Sequence, residues 1–158
     1  MTQIGPLYRL LLLSLFASTA GVSHAQGIAD EVKTWFISEY APLWKDMNDA
    51  DPERIRKYWA EDFRDHPIDM DSNIWENTTE QWQRNIERNK AEGLRGSVVV
   101  AIQVEEISDR AVLIRTIWSD YGEDGLLEDP YYCGTFIAGR FDDKWKFTNY
   151  FTVECSPE

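Results

Sequence analysis

Asp65-His66-Pro67 holds the side chains best suited to moving a proton. An imidazole titrates near neutral pH and a neighbouring carboxylate can assist it, so His66 or Asp65 can act as a general base. The plainer reading is a loop histidine fixed by the proline that follows. Asp120 is the second acid of interest. Val112, Ile114, Thr116, Trp118 and Asp120 share one strand face by period two, which sets Asp120 at the end of an apolar face beside Trp118. Asn149 interrupts the alternation of Trp145, Phe147, Phe151 and Val153. It is either a pocket hydrogen-bonder or the mark of a β-bulge.

Metal chemistry is less well served. Asp69, Asp71, Asn73, Asn77 and Glu80 fall at positions 1, 3, 5, 9 and 12 of an EF-hand-type calcium loop. Ile74 stands where that loop needs its turn glycine, and Glu76 where an apolar residue is usual. We expect no metal and no cofactor. Cys133 and Cys155 are the only cysteines, with no C-x-x-C motif and no histidine beyond His66 after residue 25. In an oxidising compartment such a pair reads as a disulfide, the alternative being two buried thiols on neighbouring strands. Asn77-Thr78-Thr79 is a glycosylation sequon, of consequence only in a eukaryotic secretory path.

The compartment is suggested by the N-terminus. Met1 to Arg9 carries one positive charge and no acid, Leu10 to Phe16 is almost wholly apolar, and Ser23-His24-Ala25 suits cleavage before Gln26. The stretch from Leu10 to Val22 is shorter than the roughly 20 residues that span hydrocarbon. Residues 1–25 therefore read as a signal peptide, and 26–158 as one domain that is secreted or periplasmic. With 16 basic and 28 acidic residues the net charge is −12, which argues against nucleic acid and against a membrane surface after cleavage. Hydrophobic residues at 43%, including seven Trp, supply enough apolar surface for a folded core.

The elements that would position these residues divide into an α half and a β half. Ile28, Val32, Trp35/Phe36, Tyr40, Leu43 and Met47 repeat at helical spacing. Asp51 as N-cap with Pro52 at the first position starts a second helix that buries Ile55, Tyr58, Trp59 and Phe63. Thr78 and Gln81 form a capping box for a third, carrying Trp82 and Ile86 to Gly93 or Gly96. From there the period is two, with strands at 98–104, 111–121, 131–141 and 144–155. Ser108-Asp109-Arg110 turns the first pair, an acidic loop runs from Gly122 to Pro130, and Asp142-Asp143 makes a hairpin. The class is α+β: three N-terminal helices packed on a curved antiparallel sheet.

Tyr58-Trp59-Ala60-Glu61-Asp62-Phe63, Asp65-His66-Pro67, the strand Ala111 to Trp118 and the segment Gly139 to Phe147 together resemble the nuclear-transport-factor-2-like superfamily, and more narrowly its SnoaL-like group. The resemblance runs from about Ile28 to Cys155 and implies a cone in which helices close one side of the sheet over an apolar pocket. It implies that Asp65 or His66 points into that pocket. It also places Tyr40 about where ketosteroid isomerases hold a tyrosine that donates to an oxyanion, the plainer reading being a core tyrosine. Gly134 falls where those isomerases carry their second acid, which disfavours a standard ketosteroid isomerase.

Three functions fit this resemblance. The first is a domain that binds a small apolar molecule in the cone, with Trp59, Trp82, Trp118, Asp120 and Asn149 as ligand-binding residues. The second is an isomerase, cyclase or dehydratase using His66 or Asp65 as base and Tyr40 as oxyanion donor. The third is a ligand-free homodimer or partner-binding module whose tryptophans fill the core. Fold alone does not choose among them.

Overall fold

Six strands, not four, carry the molecule. The computed structural model describes residues 27–66 and 73–153, and within them the first helix is the earliest departure from simple periodicity. α1 is Ile28–Trp35, a π-helical turn follows at Phe36–Tyr40, and a 3-10 turn at Ala41–Trp44. Pro42 has no N–H to give the carbonyl four residues back, and its ring crowds that carbonyl. The backbone widens just before it, so that the Ala41 N–H donates to Phe36 O. One face of this broken helix buries Val32, Phe36, Tyr40 and Leu43.

α2, Pro52–Arg56, starts as its cap residues dictate: the Asp51 carboxylate accepts from Glu53 N at 2.9 Å. It is only five residues long. The chain then forms β1, Trp59–His66, and β2, Asn73–Glu76, before α3, Thr79–Ala91. The helix expected to reach Phe63 is thus a strand over its second half. Trp59 and Phe63 are four residues apart, a spacing that returns to the same face in a strand as well as in a helix, and both are buried. Pairing decides between them, since Tyr58 O accepts from Phe147 N at 2.8 Å and Phe63 lies opposite Trp75. β2 also occupies the middle of the calcium-like pattern, whose residues 69 and 71 lie outside the described residues.

Asn77 fastens this region. Its amide nitrogen donates to Arg56 O at 2.8 Å and Trp59 O at 3.0 Å, and its amide oxygen accepts from Trp82 Nε1 at 2.7 Å. One side chain so joins the end of α2, the start of β1 and the face of α3. The sequon asparagine is therefore an internal strut. Thr78 caps α3 by accepting from Gln81 N, as its capping-box spacing implies.

β3 (Gly96–Ser108), β4 (Ala111–Gly122), β5 (Gly125–Phe141) and β6 (Lys144–Val153) follow. The acidic stretch after Gly122 is no long loop: Gly122 pairs with Gly125 and Tyr121 with Leu126, so β5 begins at once. The sheet order is β2-β1-β6-β5-β4-β3. Neighbours run antiparallel except β1 and β6, which are parallel. The sheet is therefore mixed, because β1 arrives from the helical half and lies beside the last strand in the same direction. On β4 the inward set Val112, Ile114, Thr116 and Trp118 is buried, as period two requires. The core closes between this face, Phe136, Ala138, Trp145 and Phe147 of β5 and β6, and the helical residues Phe36, Tyr40, Trp82 and Ile86.

Candidate functional site

At one end of the cone the inward residues of the sheet change from apolar to oxygen-bearing. Trp118 lies opposite Val99 on one side and Tyr132 on the other, and the next inward residues, Ser97 and Asp120, face each other. Ser97 Oγ donates to Asp120 Oδ1 at 2.5 Å. Tyr132 stacks on Trp118 with the ring planes 4° apart and centroids 6.1 Å apart. The Trp118 indole N–H donates to Thr116 Oγ1 at 2.8 Å, and that hydroxyl donates to Gly134 O at 2.9 Å. Trp118 is thereby held rigidly against the sheet.

β6 contributes through a bulge. Phe147 pairs with Ala138, but the next pair is Asn149 with Ile137, which leaves Thr148 as an extra residue. The alternation slips by one, so Tyr150, opposite Phe136, is the inward residue and Asn149 lies on the opposite face with Ile137. Of the two readings open for Asn149, the bulge is the observed one, and Asn149 does not join the interior. Tyr150 packs against Phe136 at 4.8 Å and edge-on to Trp59 at 6.2 Å.

β1 brings the last acid. Asp65 shares the parity of buried Phe63 and pairs with Tyr150 across the parallel ladder. Its carboxylate acts on the Tyr150 phenol. Between the two residues before Pro67, Asp65 is therefore an interior acid. The His66 backbone closes β1 opposite Phe151, and its side chain lies outside the described residues. Tyr40 is fully enclosed, with Phe147 at 4.6 Å, Tyr58 at 5.6 Å and Trp59 at 6.3 Å between ring centres. Trp59 and Trp82 are buried beside each other at 5.3 Å, and Trp82 has already spent its N–H on Asn77. Trp59 Nε1 is buried, and its polar interaction is with the Tyr40 phenol, outside ideal hydrogen-bond geometry.

The electrostatics follow from this arrangement. Burial raises Asp120 above the usual carboxylate range, and the hydrogen bond from Ser97 pulls it partly back. Burial pushes Tyr150 up to about 12, with Asp65 and Asp120 adding to the effect. Tyr132 is raised well above an ordinary phenol by burial and by facing Tyr150 and Asp120. Tyr40 rises too, chiefly through burial. All three phenols therefore keep their protons at neutral pH and can donate as well as accept.

The cluster brings Tyr40, Asp65, Trp59, Trp118 and Asp120 into one interior and adds Ser97, Tyr132 and Tyr150. Period two from Phe136 would have pointed to Tyr132. Tyr150 was concealed by the bulge. Gly134, where an acid would stand in a ketosteroid isomerase, faces a closed space: a Cβ there would meet Thr116 Oγ1 and the Tyr150 ring at 3.1 Å. The described interior is packed with the chain's own rings, and two surface depressions lie elsewhere. One, of about 540 Å³, runs along Trp35, Tyr58 and Trp145, and the other lies around Arg110 and Arg140.

Comparison with known proteins bears on this architecture. Residues 30–155 match the family described as NTF2-like protein (DUF6841). No functionally curated protein matches the chain. A candidate calcium/calmodulin-dependent protein kinase II association domain from Xanthomonas campestris superposes with a TM-score of 0.55 at 18% identity, covering 82% of this chain and 89% of that one. An NTF2-like protein with a cystatin-like fold from Novosphingobium aromaticivorans gives 0.56 at 12%, covering 77% and 79%. A candidate scytalone dehydratase from the same organism gives 0.52 at 18%, covering 78% and 82%. These likenesses are of fold. With its helices closed over a curved mixed sheet and a family match across nearly all described residues, the chain belongs to the NTF2-like protein family DUF6841.

Proposed function

We propose that this chain is an exported NTF2-like domain that binds a small, mostly apolar molecule in the cone, oriented by the Ser97–Asp120–Tyr132–Tyr150 end. The observation that carries this reading is the concentration of polar groups in an otherwise aromatic interior. A purely structural core has little use for one buried and two half-buried phenols with a half-buried carboxylate beside them. Asp120 is half-buried, so it marks where this end meets solvent. Entry of a ligand requires rings such as Tyr132 to swing aside. In its cellular setting the protein is expected to be secreted or periplasmic after loss of residues 1–25, with Cys133 joined to Cys155. Cys133 pairs with Val153 on the outer face of the sheet, while Cys155 lies outside the described residues. A homodimer through that outer face is part of the same reading.

Proton abstraction or dehydration would use the same groups, with Asp65 or Asp120 as base and a phenol as donor to the developing oxyanion. The candidate scytalone dehydratase among the structural neighbours makes that chemistry a reasonable second test. A ligand-free module is favoured by one observation, the closed packing of Phe36, Tyr40, Trp59, Phe136 and Phe147, whose ring centres lie 4.6–6.3 Å apart in the pairs Tyr40–Phe147 and Tyr40–Trp59. Native mass spectrometry of protein purified from its own host separates the readings. A co-purified small molecule, lost or weakened on Tyr150→Phe, which removes only the hydroxyl, supports the cone. Repeatedly empty spectra favour the ligand-free module.

A further inference from the structure

We infer that the ligand of the cone presents a positively charged amine to the Asp120 end, on an aromatic or otherwise flat apolar body. This rests on the cone-binding reading and narrows it to a chemical class.

Apart from the indole N–H groups of Trp59 and Trp118, every described polar side chain of the cluster offers oxygen. Ser97 comes from β3, Asp120 from β4, Tyr132 from β5, Tyr150 from β6, Asp65 from β1 and Tyr40 from the π-helical turn. Among the described residues no cation is within ion-pair distance of Asp120; the nearby Arg95 is paired with Glu123 instead. Asp120 is thus a partly buried carboxylate whose compensation is one hydroxyl. Such a charge is costly to keep unless a counter-charge arrives. The phenols register the same field, since Tyr132 and Tyr150 are each harder to ionise for facing Asp120.

The walls suit the same guest. Trp118 and Tyr132 present stacked π systems beside Asp120, and Trp59 meets Tyr150 edge to face. An ammonium group over such rings is attracted to their faces, more strongly where water is excluded. At longer range the net charge of −12 draws cations toward the protein and repels anions. A neutral hydroxyl would satisfy the hydrogen bonds and leave the charge uncompensated. A carboxylate would add to it.

Three probes with one aromatic body test the idea: 1-naphthylmethylamine, 1-naphthylmethanol and 1-naphthoate, titrated into the full chain at neutral pH and physiological salt with intrinsic tryptophan fluorescence as readout. The amine is expected to bind at least about tenfold tighter than the alcohol, and the acid not measurably. Asp120→Asn should bring the amine to the level of the alcohol and leave the alcohol unchanged. Asp109→Asn, which removes an exposed acid at the β3–β4 turn, the far end of β4 from Asp120, should alter neither. An alcohol that binds as tightly as the amine overturns the amine inference and leaves the cone reading intact. An amine preference that survives Asp120→Asn overturns it as well, because it then reflects general attraction to an acidic surface. If none of the three probes binds, the cone reading itself fails.

Discussion

Ser97 Oγ lies 2.5 Å from Asp120 Oδ1, one strand across from it on the inward face, and is the donor that holds this carboxylate's charge in place. Burial outweighs that donation, so Asp120 is a weaker acid in the folded chain than in the unfolded one. The consequence for stability has a definite sign. Below about pH 4 the carboxyl is protonated in both states and burial of the charge costs nothing. As pH rises through the folded pKa, the native state alone resists ionisation and stability falls. Asp120→Asn is therefore expected to raise the free energy of unfolding near neutral pH, by about 1 kcal/mol or less given the solvent exposure, with the gain vanishing toward about pH 4. Urea melts of both proteins across that range check it; an unchanged difference at acid pH would contradict the assignment.

The bulge at Thr148 makes a sharper claim about neighbours in sequence. Tyr150→Ala should cost about 3–5 kcal/mol, because it empties a packed aromatic site. Asn149→Ala, on the other face, should cost under about 1.5 kcal/mol. Equilibrium denaturation ranks the two. If Asn149 proves the more sensitive, the inward parity of β6 after Phe147 is wrong.

Asn77 uses all its amide hydrogens internally. Asn77→Ala removes two donors and one acceptor, each net bond contributing about 1 kcal/mol, for a loss of roughly 2–4 kcal/mol. The same geometry leaves no room for a glycan on this nitrogen in the folded state. Protein folded and secreted by a eukaryotic host is expected to show an unmodified Asn77 by intact mass. A glycan there on fully folded material would refute the strut.

Gly96 sits where the chain after the 3-10 turn crosses β3. Tyr121 donates its hydroxyl to Lys45 O at that crossing, and Met47 N donates to Arg95 O at 2.8 Å. A Cβ on Gly96 would run into both Lys45 O and the Tyr121 ring. Gly96→Ala should therefore destabilise by about 1–3 kcal/mol or more, read as a lowered thermal midpoint. Wild-type stability would mean that this crossing is looser than its contacts indicate.

What the sequence determined by itself was what local chemistry controls. Asp51-Pro52 and Thr78-x-x-Gln81 start helices because their side chains bond their own backbone. Val112 to Trp118 alternates because a half-buried strand must, and that alternation carried Asp120 to its place beside Trp118. Type patterns along most of the chain carried the family likeness. The tertiary structure decided what depends on partners distant in the chain. Trp59–Phe63 has a spacing common to helix and strand, and the pairing of β1 with β6 made it a strand. That pairing also put Asp65 beside Tyr150. The extra residue at Thr148 is visible only against Ile137 and Ala138, so the exchange of Asn149 for Tyr150 could not be read along β6 alone. The interior polar end is thus a product of register, which is set between strands and not within them.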